Sequence, residues 1–179
     1  ELADALAWAD VLCPTVTDSL TRELLSAPTV NAKLLANFGV GFNHIDMAAA
    51  SRAGIAVTNT PGVLTDATAE IALTLMLISA RRAGEGERLV RSGQWHGWHP
   101  THMLSTQVTG KTLGIVGMGR IGLALAKQAH YGLGMSIVYS SRVERSEQEL
   151  QGLPAKHCPL DELLACLLYT SDAADEVVS

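Results

Sequence analysis

The stretch Gly110-Lys111-Thr112-Leu113-Gly114-Ile115-Val116-Gly117-Met118-Gly119-Arg120-Ile121-Gly122 decides the fold of this chain. Thr112–Val116 is an apolar, β-favouring run and predicts a buried strand. Gly117-x-Gly119-x-x-Gly122 follows it directly. Leu123–His130 then has helical patterning, with Gly132 and Gly134 after it, and Met135–Tyr139 predicts a second buried strand. A Gly-rich turn between a strand and a helix, inside a βαβ unit, is a dinucleotide fingerprint. The first glycine permits the tight turn, the second admits a pyrophosphate, and the third lets helix and strand pack closely. Unpaired N–H groups at the helix start face an anion there, and the helix dipole favours its charge. A bare turn with no ligand is the alternative, and the strand-turn-helix context speaks against it.

The end of the second strand selects the cofactor. An NAD site usually places Asp or Glu there to bind the ribose hydroxyls. This chain reads Tyr139-Ser140-Ser141-Arg142-Val143-Glu144-Arg145 instead, with Ser141 standing 19 residues after Gly122. Ser141 can hydrogen-bond a 2′-phosphate, and Arg142 and Arg145 can pair with it bidentately. The expectation is NADP preferred, with NAD possible. An ordinary solvated arginine loop is the other reading of the same residues.

Upstream, the chain alternates helical and β-rich segments. Residues 1–12 predict a helix running into a short strand at Asp10–Cys13. A helix over Leu20–Ala27 has Thr17 or Asp18 as its cap, and Lys33–Phe38 is a strand candidate. Ile45–Ala53 is a short helix, and Ile55–Thr58 a strand that ends in Asn59-Thr60-Pro61-Gly62. Such alternation favours an α/β fold of doubly wound parallel sheets. One long helix is expected over Asp66–Arg91, its apolar run Ala67–Ala80 reading as buried and too short for a membrane span. Arg91–Thr109, with Trp95, Trp98 and Pro100, reads as a connector.

Composition narrows the function. The 179 residues are 47% hydrophobic, enough to build a core. A net charge of -5 with no basic stripe argues against a nucleic-acid partner. Three cysteines without CxxC spacing exclude a disulfide scaffold and suit a reducing cytoplasm. His96, His99 and His102 lie close together, but no carboxylate or thiol stands at ligand spacing, so no metal is expected. His44 reads as a surface residue. The N-terminus has no basic n-region and is not a signal peptide.

Three motifs together resemble one family. Gly110–Gly122 closely resembles the cofactor fingerprint of the D-isomer-specific 2-hydroxyacid dehydrogenases. Asn37–Asp46, NFGVGFNHID, resembles its substrate loop, with Asn43 where many members have Asp. Gly54–Glu70 resembles the segment leading into its interdomain helix, and WHGWHP (Trp95–Pro100) its glyoxylate/hydroxypyruvate reductase branch. The resemblance implies part of a flavodoxin-like substrate domain over 1–62, then an interdomain helix and the first half of a Rossmann NAD(P)-binding domain over 63–165. It implies that the N–H groups of Val40 and Gly41 hold the carboxylate of a small 2-keto or 2-hydroxy acid. It also implies that Arg120 and Ile121 touch the cofactor phosphates, that Thr68 lies near the nicotinamide, and that the parent protein is a homodimer. The apolar stripe of residues 71–78 would be core or the dimer contact.

The family's Arg, Glu and His that clamp the substrate and move the proton have no counterpart here, and the family begins with a strand upstream of Glu1, so the resemblance implies a chain clipped at both ends and inactive alone. Residues 166–176 leave the family pattern abruptly and reverse-translate to a transposase-based sequencing adapter, so 166–179 reads as a non-native tail. Two other readings stand beside the enzyme: a dinucleotide-sensing corepressor-like binding protein, and a fragment with no function of its own.

Overall fold

The computed structural model describes residues 1–165, and the expected non-native tail lies outside them. The chain divides into two compact units, one of residues 1–64 and one from Thr65 onward.

The first unit runs α1 (Leu2–Trp8), β1 (Val11–Leu12), α2 (Arg22–Leu25), β2 (Leu34–Ala36), α3 (Met47–Arg52) and β3 (Ala56–Thr58). The strands form a parallel sheet in the order β1-β2-β3, with Val11 opposite Leu34 and Leu35 opposite Val57. Parallel neighbours need a crossover between them, and α2 and α3 lie in those crossovers. Leu6, Leu20, Leu25, Leu35, Ile45, Ala50 and Ile55 make the core. Each fully buried leucine contributes about 1.5–3 kcal/mol. Helix α3 starts because the Asp46 carboxylate accepts the Ala49 N–H at 2.8 Å, and the chain leaves it through Gly54 at φ +71°. The cap of α2 is Thr21, which accepts from the Leu24 N–H. The expected caps do other work: Thr15 donates to the Asp18 carboxylate and shares a hydrogen bond with the Thr17 hydroxyl, closing a local turn.

The second unit runs α4 (Thr65–Ala80), α5 (Ala83–Arg91), β4 (Thr112–Val116), α6 (Arg120–Lys127), a π turn (Gln128–Gly132), β5 (Ser136–Ser140), α7 (Glu147–Leu150) and β6 (Ala155–His157). Residues 160–165 are helical. The sheet is parallel, ordered β4-β5-β6, with Val116 opposite Ser140 and Tyr139 opposite His157. Ile115, Ile137, Tyr139, Ala126 and Leu150 fill its core.

Three expectations change here. The helix over 66–91 is two helices, because Arg82 takes the left-handed conformation at φ +53° and breaks the ladder. Its guanidinium donates to the Glu85 carboxylate at 2.8 and 2.7 Å and to the Leu104 carbonyl at 2.9 Å, which holds the break. Helix α4 is not a buried helix: Ile71 and Leu75 are each 61% exposed and Ala69 is its one buried residue. Nor is β4 buried throughout. It pairs with β5 alone among the described residues, and Val116 is 66% exposed. Among the described residues no helix is long and apolar enough to cross a membrane.

Candidate functional site

The Gly-rich turn is built by three glycines with three different constraints. Gly117 sits at φ +99°, where a side chain is strained, and its N–H donates to the Ser140 carbonyl at 2.8 Å. That bond fixes the turn to the end of β5. Gly122 lies in the first turn of α6, where an added Cβ would stand 2.3 Å from the Gly117 oxygen. Gly119 differs from both. Its φ of -87° is ordinary, and among the described residues no atom lies within 4 Å of the place its Cβ would take. Packing among the described residues therefore does not require glycine there, and the backbone is open to approach from outside.

Helix α6 begins at that glycine without a side-chain cap. The Leu123 N–H reaches the Gly119 carbonyl at 2.9 Å and is the first to close a helical bond. The N–H groups of Gly119, Arg120, Ile121 and Gly122 have no acceptor among the described residues. Such a row attracts an anion, and the helix dipole adds to it.

A cavity of about 810 Å³ opens in front of the turn. Gly117, Met118 and Gly119 line one side, and Ser140, Ser141, Arg142 and Arg145 the other. Among the described residues no acidic one lines it. Its volume lies in the range of cofactor sites. The unpaired amides, the open space at Gly119 and the basic wall make this cavity the candidate anion site of the second unit.

The structure separates the two arginines expected to act together. Arg142 is exposed and has no partner among the described residues. Arg145 is half-buried and held three ways. Its Nε donates to the Met118 carbonyl at 3.0 Å, one terminal nitrogen donates to Glu149 at 2.8 Å, and its backbone N–H donates to the Tyr139 hydroxyl at 2.9 Å. Glu149 also closes the capping box of α7 with Ser146. The Ser146 N–H, and then the Arg145 guanidinium, hold the Glu149 carboxyl below the usual glutamate range. Ser141 donates its hydroxyl proton to the Val143 carbonyl at 2.6 Å, leaving its oxygen only as an acceptor. Ile121 is exposed on the first turn of α6, and Thr68 stands near the start of α4; neither lines the cavity.

In the first unit, the loop Gly39-Val40-Gly41 is organised by a residue the sequence reading passed over. Asn37 is 1% exposed, and its amide donates to the Gly39 carbonyl at 3.0 Å and the Gly41 carbonyl at 2.9 Å. Its side-chain oxygen is 2.9 Å from His44 Nε2, which donates to it. Asn59 donates to the Val40 carbonyl at 2.9 Å. All three carbonyls of the loop are thus tied back. The Val40 and Gly41 N–H groups have no acceptor among the described residues, which makes a small anion nest. His44 is half-buried in this network rather than a bare surface residue. A polar residue closing the apolar run Leu34–Ala36 was the signal for Asn37.

Comparison with known proteins gives a consistent result. Residues 1–179 match the family described as D-isomer specific 2-hydroxyacid dehydrogenase, catalytic domain. The glyoxylate reductase of Thermococcus litoralis is 47% identical over 168 residues, covering 91% of this chain and 50% of that protein. That of Aeropyrum pernix is 47% identical over 161 residues, covering 87% and 47%. Among solved structures, the TT0316 protein of Thermus thermophilus superposes with a TM-score of 0.83 at 43% identity, over 92% of this chain and 50% of that one. A D-lactate dehydrogenase from Aquifex aeolicus, complexed with NAD and lactic acid, gives 0.78 at 30% identity, over 90% and 47%. The chain spans about half the length of the curated relatives it matches.

Proposed function

The chain belongs to the D-isomer-specific 2-hydroxyacid dehydrogenase family, and from that premise we propose that it is the part of a glyoxylate- or hydroxypyruvate-reducing enzyme that grips the cofactor phosphates and the substrate carboxylate. The observation that carries this reading is the row of unpaired amides that starts at Gly119, which itself lines a cavity with no acid in its wall among the described residues. Gly119, Arg120, Ile121 and Gly122 hold the pyrophosphate through backbone N–H groups, and Gly117 makes the tight turn that brings them to it. NADP is favoured over NAD because Arg142 stands free at the end of β5 where an acid would repel a 2′-phosphate. Ser141 and Arg145 complete that wall, and Thr68 lies toward the nicotinamide end.

Val40 and Gly41 receive the carboxylate of a small 2-keto or 2-hydroxy acid in their nest. When bound, the nicotinamide supplies hydride to the keto carbon. Polarisation of that carbon and delivery of the proton fall to an Arg, a Glu and a His outside the described residues, so the 179-residue chain is inactive alone. The exposed Ile71 and Leu75 of α4 support a homodimeric parent, and the exposed, reduced thiol of Cys13 suits the cytoplasm.

The test is NADPH oxidation with glyoxylate and with hydroxypyruvate, run on the full-length enzyme and on this chain side by side. Turnover by the full-length enzyme and none by the chain supports the reading. Turnover by the chain within about tenfold of the enzyme overturns the assignment of the missing groups, and none by either overturns the function.

A further inference from the structure

We propose that Arg145 is a positioning residue for the phosphate turn and does not read the cofactor's 2′-phosphate. This rests on the dinucleotide reading above and divides the two arginines that the sequence presents as a pair. Arg145 Nε donates to the Met118 carbonyl at 3.0 Å, from 27 residues further along the chain. In a trans peptide the carbonyl and the following N–H point in opposite directions. Holding the Met118 carbonyl toward Arg145 therefore aims the Gly119 N–H the other way, out of the turn. Gly119 is the residue before α6 and the first of the unpaired amides.

The bond is needed because this peptide is easily turned over. A flip of the Met118–Gly119 peptide changes ψ of Met118 and φ of Gly119. Gly119 has no Cβ to resist it, and nothing among the described residues stands within 4 Å of where one would be. A flipped peptide would present a carbonyl oxygen to the pyrophosphate in place of an N–H. Arg145 is itself held from behind: Glu149 takes one terminal nitrogen at 2.8 Å, and the Tyr139 hydroxyl takes its backbone N–H at 2.9 Å. Glu149 is in turn fixed in the capping box of α7. The chain of contacts runs from the start of α7, through one guanidinium, to the carbonyl inside the turn. Arg142 has none of these partners and remains available to a ligand.

Loss of one hydrogen bond to a charged donor weakens the state it supports about ten- to a hundredfold. In the full-length enzyme, Arg145→Ala should therefore raise the Kd of NADH and of NADPH by about that factor, and by the same factor for both. Arg142→Ala should raise the Kd of NADPH alone. Arg145→Lys should recover part of the loss, since an ammonium can still donate to the Met118 carbonyl; this variant keeps the test open if the alanine protein folds poorly. Phosphorus NMR of bound NADPH gives a readout that general destabilisation would not move. In Arg145→Lys the pyrophosphate resonances should shift and the 2′-phosphate resonance should stay. A loss in Arg145→Ala at least about tenfold larger for NADPH than for NADH would overturn the proposal, as would unchanged affinity for both. Failure of the unaltered enzyme to bind either cofactor would instead overturn the dinucleotide reading, and this proposal with it.

Discussion

Gly122→Ala puts the strand-turn-helix contact under direct test. The new Cβ would stand 2.3 Å from the Gly117 oxygen and 3.3 Å from Ile115 Cγ2. A carbon–oxygen contact normally settles at about 3.3 Å or more, so α6 must withdraw from β4 by about 1 Å. Overpacking costs about 1–3 kcal/mol, and the upper end applies because the obstacle is backbone that cannot rotate away. Alanine recovers up to about 1 kcal/mol through its better helix propensity, leaving a net loss of about 2 kcal/mol. Urea denaturation of the full-length enzyme should show the midpoint falling by about 1 M at unchanged slope. Cofactor affinity should fall as well, because the withdrawn helix carries the amides away from the turn. Gly119→Val is the matched control. Valine accepts a φ of -87° and ψ of -163°, and nothing crowds its Cβ, so stability should hold within about 0.5 kcal/mol while NADPH binding is abolished. Wild-type stability and wild-type binding in Gly122→Ala would refute the close-packing argument.

Asn37→Ala should raise the KM for glyoxylate while changing kcat little, because it frees the carbonyls of Gly39 and Gly41 that shape the carboxylate nest; steady-state kinetics decides it, and an unchanged KM would remove Asn37 from the site. Acidification should loosen the start of α7. The Glu149 carboxyl is held low in the folded protein, so its contribution is complete above the pH of an ordinary glutamate and is lost as pH falls through the lower folded value. Hydrogen exchange of residues 146–150 across that interval should show the loss, and Glu149→Gln should abolish the pH dependence.

What the sequence made legible follows from the range of each constraint. The duties of Gly117 and Gly122 are set within six residues, and the structure shows the tight turn at the first and the close helix–strand packing at the second. The break at Arg82 was hidden because its causes include the Leu104 carbonyl, 22 residues away. Strand β6 is three residues long and follows Gly152 and Pro154, so no periodicity announces it; its pairing with β5 makes it a strand. Val116 belongs to an apolar run that reads as buried, and its exposure depends on which strands neighbour β4. The two arginines look equivalent in sequence, and only the fold brings Met118 and Glu149 to one of them. His44 acquires its role through Asn37, at the end of a different element.

Hydrogen–deuterium exchange across residues 117–123, with and without NADPH, tests the central claim most directly. The account predicts that the amides of Gly119, Arg120, Ile121 and Gly122, which donate to nothing among the described residues, become protected when the cofactor is added. Binding of NADPH with no gain of protection in that segment would contradict it.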